Sequence, residues 1–485
     1  MRNMLTKRTH PVFIVASLSS GILLGCLLAY AAPSAWLTSW VWWIVWLFWL
    51  CVCFWRSLKW AVVVALLVGM MMGYGRGASE LASWVNVEQY GGQQVMLRGV
   101  VREDPEKGAG SELRLRLDSV SIDGETRGGV YWVTVSGDAA NIERSDAVSV
   151  QGELQEGFGT FAASMFRAQV NTIEKGVRFD PLLGVRNSFA DAIHSTIPDP
   201  QAALGIGYIL GQKRALPLDF EEALLLVGLT HVVVASGYNL TILVRLSRRL
   251  FERVSRYTSV MVSGGLIVAF IGITGLSPSM SRAGLVAGLS LVAWYYGRTV
   301  HPAILMLVTA ALSVLFNPSY LWGDVGWMLS FAAFAGVMFL APLLQAYFYG
   351  EQKPGIFRQI LGETFSAQLV TLPIILVAFG VMSNVALVAN VLVLPLVPLA
   401  MLLTFFAGLA TLISPIFGEY ASIPAYWLLS YMKTIIEYFA ELPWTSTKAE
   451  ASIATATAMY AVMLLLIVVL KRSTGLSFRR VNLVE

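Results

Sequence analysis

The sequence predicts a polytopic α-helical membrane protein of about ten to twelve spans, with one small all-β domain inserted near its start. Three observations predict it. Of 485 residues, 56% are hydrophobic and 13% charged, a balance that cannot cover a soluble surface at this size. The apolar residues fall in runs long enough to cross a bilayer, interrupted once by a polar stretch. The charge is uneven: residues 80–175 hold 9 Lys/Arg against 15 Asp/Glu, a balance of −6, so the rest of a chain that totals +4 carries +10.

Residues 1–78 read as three N-terminal spans, at 11–31, 36–55 and 59–75. The first follows Arg2, Lys7 and Arg8 as a signal peptide would. No small-residue cleavage site leading into a soluble protein follows, so it reads as an uncleaved span. The start is basic, the 32–35 turn has no basic residue, and Arg56 and Lys59 flank the next turn. The positive-inside bias then places the N-terminus in the cytoplasm and residue 76 outside. Two later basic blocks agree: Arg245, Arg248, Arg249, Arg253 and Arg256, and Lys471, Arg472, Arg479 and Arg480 around a cytoplasmic tail at 473–485. Both read as topology determinants of a multi-pass cell (inner) membrane protein rather than as binding patches. The cysteines, Cys26, Cys51 and Cys53, lie in the first two spans, so the polar domain holds no disulfide. The histidines, His10, His194, His231 and His301, are scattered, and no Cys/His spacing suits a metal. Neither metal nor cofactor is expected.

The polar domain, 79–177, reads as strands. Val95, Leu97, Gly99 and Val101 alternate with Met96, Arg98, Val100 and Arg102. Leu113, Leu115 and Leu117 alternate with Arg114, Arg116 and Asp118. Further runs at 130–135, 147–154 and 165–173 are punctuated by Asp123-Gly124 and Gly128-Gly129. Five short strands of this kind suit a small OB-like barrel or open sheet, and a sandwich would look similar. Arg98, Arg102, Arg114 and Arg116 are placed to form one basic face, with Trp132 or Tyr131 nearby for stacking. The balance of −6 limits any grip on a polyanion to a local patch, and a purely structural spacer is the rival role.

Residues 178–201 form a linker helix, with Leu182, Val185, Phe189 and Ile193 on one face and Pro198 and Pro200 as its stop. Residues 202–472 hold the main apolar bundle, with spans near 224–244, 259–276, 280–297, 302–316, 327–347, 361–380, 385–413 and 452–470. The 385–413 stretch, with Pro395 and Pro398, reads as two short segments or one kinked helix. Residues 424–442 mix Tyr, Glu and Lys with apolar residues and suit the interface.

The most informative stretch is 228–243, where His231, Ser236-Gly237 and Asn239 interrupt an apolar run. Lipid tails cannot satisfy such groups, so they must face protein or a water-filled path. Ser236-Gly237 is a natural break. A helix restarting at Tyr238 would aim free N–H groups into the membrane interior, where they attract anions. Close helix packing by small residues is the alternative. Arg282 starts a later span, to snorkel or to charge a pore mouth. Ser330, Gln368 and Asn390 add polar groups at depth, where interhelical hydrogen bonding is their structural role. Pro373 and Pro395 each free a carbonyl one turn upstream, which favours broken helices. No Gly-x-x-x-x-Gly-Lys-Ser/Thr is present, which excludes a P-loop motor within the chain. His231 and Ser236 lie five residues apart, about 140° around a helix, too far to pair as base and nucleophile.

These segments resemble the ComEC family, the inner-membrane channel of natural DNA uptake. The family's Gly-Leu-Ser/Thr-His and Ser-Gly-x-His/Asn match Gly228-Leu229-Thr230-His231 and Ser236-Gly237-Tyr238-Asn239. Its Pro-Ser-x-x-Arg-Ala is similar to Pro278-Ser279-Met280-Ser281-Arg282-Ala283. Asp324-Val325-Gly326-Trp327-Met328-Leu329-Ser330-Phe331, Gln368-Leu369-Val370-Thr371-Leu372-Pro373, Phe379-Gly380 and Asn390-Val391-Leu392-Val393-Leu394-Pro395 follow in the family's order. Each motif alone is weak; their order and spacing behind an OB-like domain make the resemblance. Asn239 stands where many members have histidine, so a titrating role is not expected there. The resemblance implies a form lacking the C-terminal metallo-β-lactamase-like nuclease domain of many members.

The expected function is therefore a channel, not an enzyme, that passes single-stranded DNA into the cytoplasm during natural transformation. Neutral donors suit such a path, because a dense arginine lining would trap a polyanion. The expected lining is His231, Ser236, Gly237, Tyr238, Asn239, Arg282, Ser330, Gln368 and Asn390, and the expected DNA-receiving face is Arg98, Arg102, Arg114, Arg116 and Trp132. The expected partners are single-stranded DNA and membrane lipid, with a separate DNA receptor, a separate nuclease and a cytoplasmic ATP-driven motor implied. A secondary transporter for a small anionic solute also fits broken helices. A lipid-modifying membrane enzyme ranks last, for want of a nucleophile–base–orienter set.

Overall fold

The computed structural model describes residues 11–32, 60–84, 86–90, 92–108, 112–136, 142–212, 216–233, 237–275, 277–298, 301–350 and 355–476. Among them, seven helices are long and apolar enough to cross a membrane: Pro11–Ala31, Ala61–Ser83, Arg256–Thr274, Val325–Tyr349, Phe357–Phe379, Ala386–Ile413 and Ile453–Thr474. The expected span at 36–55 lies outside the described residues, as does Ser236. Gln201–Leu210 and Pro302–Phe316 are apolar but shorter. The chain forms two compact units, Met1–Asp180 with Arg298–Asp324, and Pro181–Gly297 with Val325–Glu485.

In the first unit, helices Pro11–Ala31 and Trp60–Ser83 pack backbone to backbone. A Cβ at Gly21 or Gly25 would collide with the carbonyls of Leu66 or Met70, and one at Gly69 or Gly73 with those of Leu18 or Ile22. Small residues four apart allow this approach, which supplies dispersion contacts where lipid offers no hydrophobic drive. Arg76 donates to the final carbonyls of helix Pro302–Phe316, Leu315 and Phe316, at 3.1 Å each, and pairs with Glu80 at 2.8 Å. A cation at a helix C-terminus is favourable for the same reason that its carbonyls are unsatisfied.

The inserted domain is a closed barrel. Its strands are β1 (Gln94–Val101), β2 (Glu106–Lys107), β3 (Glu112–Ile122), β4 (Glu125–Arg127), β5 (Val130–Ser136), β6 (Ala147–Glu156) and β7 (Phe161–Glu174). The main strands run in the order β1, β3, β5, β7, β6, and β6 returns to β1. All these pairings are antiparallel except β5 with β7. The alternation read from sequence is what fills it: Leu97, Leu115, Leu117, Ile122, Val133, Val150 and Met165 are buried, while Arg98 and Arg114 point out. Asp123 (φ 50°) and Gly124 (φ 90°) turn β3 into β4, the left-handed pair a two-residue hairpin demands.

The second unit is helical. Pro181–Thr196 is a helix as expected, but its buried residues are Arg186, Phe189, Ala190, Ala192 and Ile193, and Val185 is exposed. It contributes to the unit's core instead of floating at an interface, since Phe189 and Ile193 join the main cluster with Leu204, Val227, Val397 and Leu429. The 224–244 stretch is not one span. It breaks at Gly228, which takes a left-handed φ of 77°, into Leu218–Val227 and Thr230–Val233; Gly237–Phe251 is helical, and residues 234–236 lie outside the described residues. Residues 386–413 form one path with a short 3₁₀ step at Leu394–Leu396, where Pro395 and Pro398 remove hydrogen bonds. Pro373, by contrast, sits within the continuous helix Ile356–Phe379. Residues 424–442 belong to the long helix Pro415–Ala440. Strand β8 (Val381–Ser383) pairs with β9 (Ser446–Lys448), and the Asn384 amide donates to Trp444 O and Thr447 Oγ1 at 2.8 Å each.

Candidate functional site

The site grows from the break at Gly228. At Gly228 the chain leaves one helix and passes so close to its neighbour that an added Cβ would lie 2.9 Å from Ala386 Cβ and 3.3 Å from Ser383 Cβ. That contact brings the Gly-Leu-Thr-His motif against the start of the helix that carries Asn390, one turn beyond Ala386 on the same face. On its other side the broken segment packs on Gln201–Leu210, where a Cβ at Gly207 would lie 2.7 Å from Val233 O. The restarted helix is pinned there too: the Asn239 amide, fully buried, donates to Tyr208 O at 3.0 Å.

Several buried polar atoms around this break have no hydrogen-bond partner among the described residues. They are Tyr208 Oη, Thr230 Oγ1, Ser383 Oγ and Asn390 Oδ1, with Thr404 Oγ1 and Ser366 Oγ further along the unit. A buried group of this kind costs about 1–3 kcal/mol when nothing meets it, so natural cores rarely keep several. All are neutral. His231 is exposed. The arrangement can offer hydrogen bonds to water or to a passing polar chain while holding no fixed charge against it.

The other expected lining residues divide. Gly237 faces Ala283, with 3.0 Å between an added Cβ and Ala283 Cβ, so the second motif meets the third. Arg282 is buried; it donates to Gly326 O at 3.0 Å, and its guanidinium carbon lies 5.8 Å from the Phe331 ring centroid. It therefore ties its helix to the start of Val325–Ala335. Ser330 on that helix is exposed, and Gln368 is half-buried on Ile356–Phe379. Asn239 is engaged in a helix–helix bond, and Asn390 keeps an open oxygen. Tyr208, Ser383 and Thr404 were not legible as site residues, since a lone hydroxyl in an apolar run looks like ordinary helix packing. Thr230 carried a signal, its place beside His231.

On the barrel, the four arginines do not make one face. Arg116 lies opposite Trp132 in the β3–β5 register and Arg114 opposite Thr134. Arg102 joins them, its N–H donating to Arg116 O at 2.9 Å. Arg98 lies apart, opposite Ser121 and Ser149, and pairs with Glu174 at 2.7 Å. Arg116 pairs with Glu103 at 2.7 Å and Glu106 at 3.2 Å. Burial works against its charge, but Glu103, Glu106 and Asp324 together hold its pKa above the ordinary guanidinium value. Trp132 clusters with Phe158 and Phe161, and Arg116 stands 5.8 Å from its ring centroid.

The competence protein family matches residues 208–473, more than half of the chain, including the Gly228 turn, Asn239, Arg282 and Asn390. ComE operon protein 3 of Bacillus subtilis (strain 168) is 24% identical over 267 residues, which is 54% of this chain and 33% of that protein. The match thus spans about a third of that relative's length. No solved structure matches the chain. With its broken helix, its buried neutral groups and its family's motifs in one helical unit, the chain belongs to the competence protein family, as a ComEC-type membrane protein.

Proposed function

We propose that this chain is a conduit carrying single-stranded DNA across the cell membrane in natural transformation. The observation that carries the reading is the set of neutral, unpartnered polar atoms at Tyr208, Thr230, Ser383 and Asn390 around the break beside His231. A strand crossing a bilayer must exchange water for protein donors and acceptors at every phosphate and base without being trapped. Neutral groups that no protein atom engages are what such an exchange needs. His231 and Asn390 are the lining residues in this reading, Tyr238, Ser236, Ser330 and Gln368 its flanks, and Asn239, Gly237 and Arg282 hold the lining helices in place.

The barrel is read as OB-like, on its closed five-strand order with one parallel pair. It lies outside the cell, and Arg102, Arg114, Arg116 and Trp132 form its local contact for an incoming strand. Both termini are cytoplasmic. Driving force comes from a separate cytoplasmic motor, and receptor and nuclease functions from other proteins. The chain itself does no covalent chemistry.

The test is deletion and complementation, scoring transformation and cytoplasmic entry of labelled strands. Asn390→Leu removes an oxygen without a protein partner, so it is expected to leave the protein folded and membrane-inserted while uptake falls at least about tenfold, the effect of about 1.4 kcal/mol. Normal uptake with this variant overturns the path. Intact transformation with a changed small-anion phenotype in the deletion favours a solute transporter.

A further inference from the structure

Helices Gly237–Phe251, Arg256–Thr274 and Pro278–Tyr295 share a small core of Leu240, Ile267, Phe270, Met280 and Leu291. Inside it the hydroxyls of Ser247 and Ser263 bond at 3.1 Å. With Leu240 and Ser247 turned inward, helical spacing puts Thr241, Arg245, Arg248 and Arg249 on the opposite side, and Arg253 and Arg256 continue past the turn. Arg245, Arg249, Arg253 and Arg256 are exposed. Glu252 is the one acidic residue in 237–297. The guanidinium of Arg248 lies 5.3 Å from the ring centroid of Trp294, which sets the aromatic end of Pro278–Tyr295 beside the arginines. There Tyr295 and Tyr296 pack edge to face at 5.3 Å, and Tyr296 is 71% exposed.

Topology determination needs basic charge and nothing more. It requires neither a stripe along one helix face nor aromatic rings interleaved with the arginines. Arginines four residues apart are about 6 Å apart along the axis. The stripe occupies the second half of the helix, from Arg245 to its end at Phe251, and continues into the turn that follows. An extended chain of phosphates can follow such a line.

We propose that this end of the three-helix bundle is a contact site for single-stranded nucleic acid. Arg245, Arg249 and Arg253 take successive phosphates, and Tyr296, with the Arg248–Trp294 stack beside it, takes a base. Basic side chains along a backbone track with rings for stacking are the general means of holding a single strand without reading its sequence. The assignment rests on the conduit reading for one point only, that this is the side on which the strand leaves.

The test uses the full chain in nanodiscs of uncharged phosphatidylcholine, which open both faces to solution, with a fluorescein-labelled oligothymidylate followed by anisotropy over roughly 50–200 mM salt. Arg245→Gln with Arg249→Gln is expected to weaken binding at least tenfold and to lower the salt slope by about 1.4, at about 0.7 per phosphate lost. Tyr296→Ala, which changes no charge, is expected to weaken binding about fivefold or more with the slope unchanged. Unchanged oligonucleotide binding in both variants overturns the proposal. So does loss of bound phosphatidylglycerol from the arginine variant without loss of oligonucleotide, which assigns the stripe to lipid. Uptake in cells separates the two readings. Normal uptake with an arginine variant that still binds the oligonucleotide removes only the stripe. Weakened oligonucleotide binding in a chain whose deletion leaves transformation intact keeps the stripe and removes the conduit.

Discussion

The barrel and the helical unit handle polar groups in opposite ways. In the barrel, charges cancel across strands: Arg98 with Glu174, Arg116 with Glu103 and Glu106, Arg178 with Asp118, Lys175 with Asp146. Its buried carboxylate, Asp146, also accepts from the N–H groups of Glu143 and Gly176. In the helical unit, Tyr208, Thr230, Ser383, Asn390 and Thr404 keep buried atoms that meet no hydrogen-bond partner among the described residues. The barrel's pairings commit its charged groups to its own architecture, which leaves a small basic patch at most, while its Tyr131 hydroxyl is buried with no partner among the described residues. The helical unit's uncommitted ones are where a ligand's polar atoms can be received.

Backbone tolerance is the sharpest way to break that comparison. Gly228 and Gly124 both have positive φ, but a side chain at Gly228 would meet Ala386, while nothing lies within 4 Å at Gly124. Gly228→Val is expected to cost about 2–5 kcal/mol, left-handed strain plus overpacking, and Gly124→Val only the strain, about 1–2 kcal/mol. Thermal unfolding of the two variants in detergent checks the ranking. Equal losses would mean that the break is loosely packed.

A smaller contrast lies within the helical unit. Asn239→Leu strands the Tyr208 carbonyl and is expected to cost about 1–3 kcal/mol of stability. Asn390→Leu strands no partner of the Asn390 oxygen among the described residues and is expected to be neutral or stabilising. A comparable stability loss in both variants would show that Asn390, too, is a structural bond.

On the barrel, Glu103→Gln with Glu106→Gln removes both carboxylates from Arg116. These groups are partly exposed, so the expected loss is below about 1 kcal/mol. The freed guanidinium should bind an oligothymidylate more tightly than the parent does. Unchanged binding would leave the barrel as a spacer.

The smallest effect at neutral pH concerns Tyr131, whose buried hydroxyl has no protein partner and whose pKa burial pushes above the ordinary 10.0. A raised folded-state value means stability is intact below 10.0 and is lost as pH rises beyond it. Tyr131→Phe is expected to leave stability near unchanged at neutral pH and to flatten the alkaline loss, measured by chemical denaturation across that range.

How far the sequence reached follows from the same physics. Leu113, Leu115 and Leu117 against Arg114 and Arg116 disclose which face of β3 is buried, because a strand's period is two. Strand partners are not periodic information, so the closure of β6 onto β1 and the parallel β5–β7 pair could not be read. Ser236 of the expected Ser236-Gly237 break lies outside the described residues, whereas the left-handed turn at Gly228 looked like one more small residue in an apolar run. The Val185 face of the linker helix was misjudged because amphipathic logic puts an arginine outside, and Arg186 is buried. The motif residues were legible, but their division was not. Only the fold separates Asn239, bonded to Tyr208, from Asn390, whose oxygen stays open.

The pairing of β8 with β9 joins stretches of chain some 60 residues apart, and everything between them is a pair of long helices. Those two helices thus leave from one clasp and return to it. Asn390 sits one short turn inside that clasp. A cysteine cross-link across the two strands would therefore hold the two ends of this excursion together, reversibly by a reducing agent.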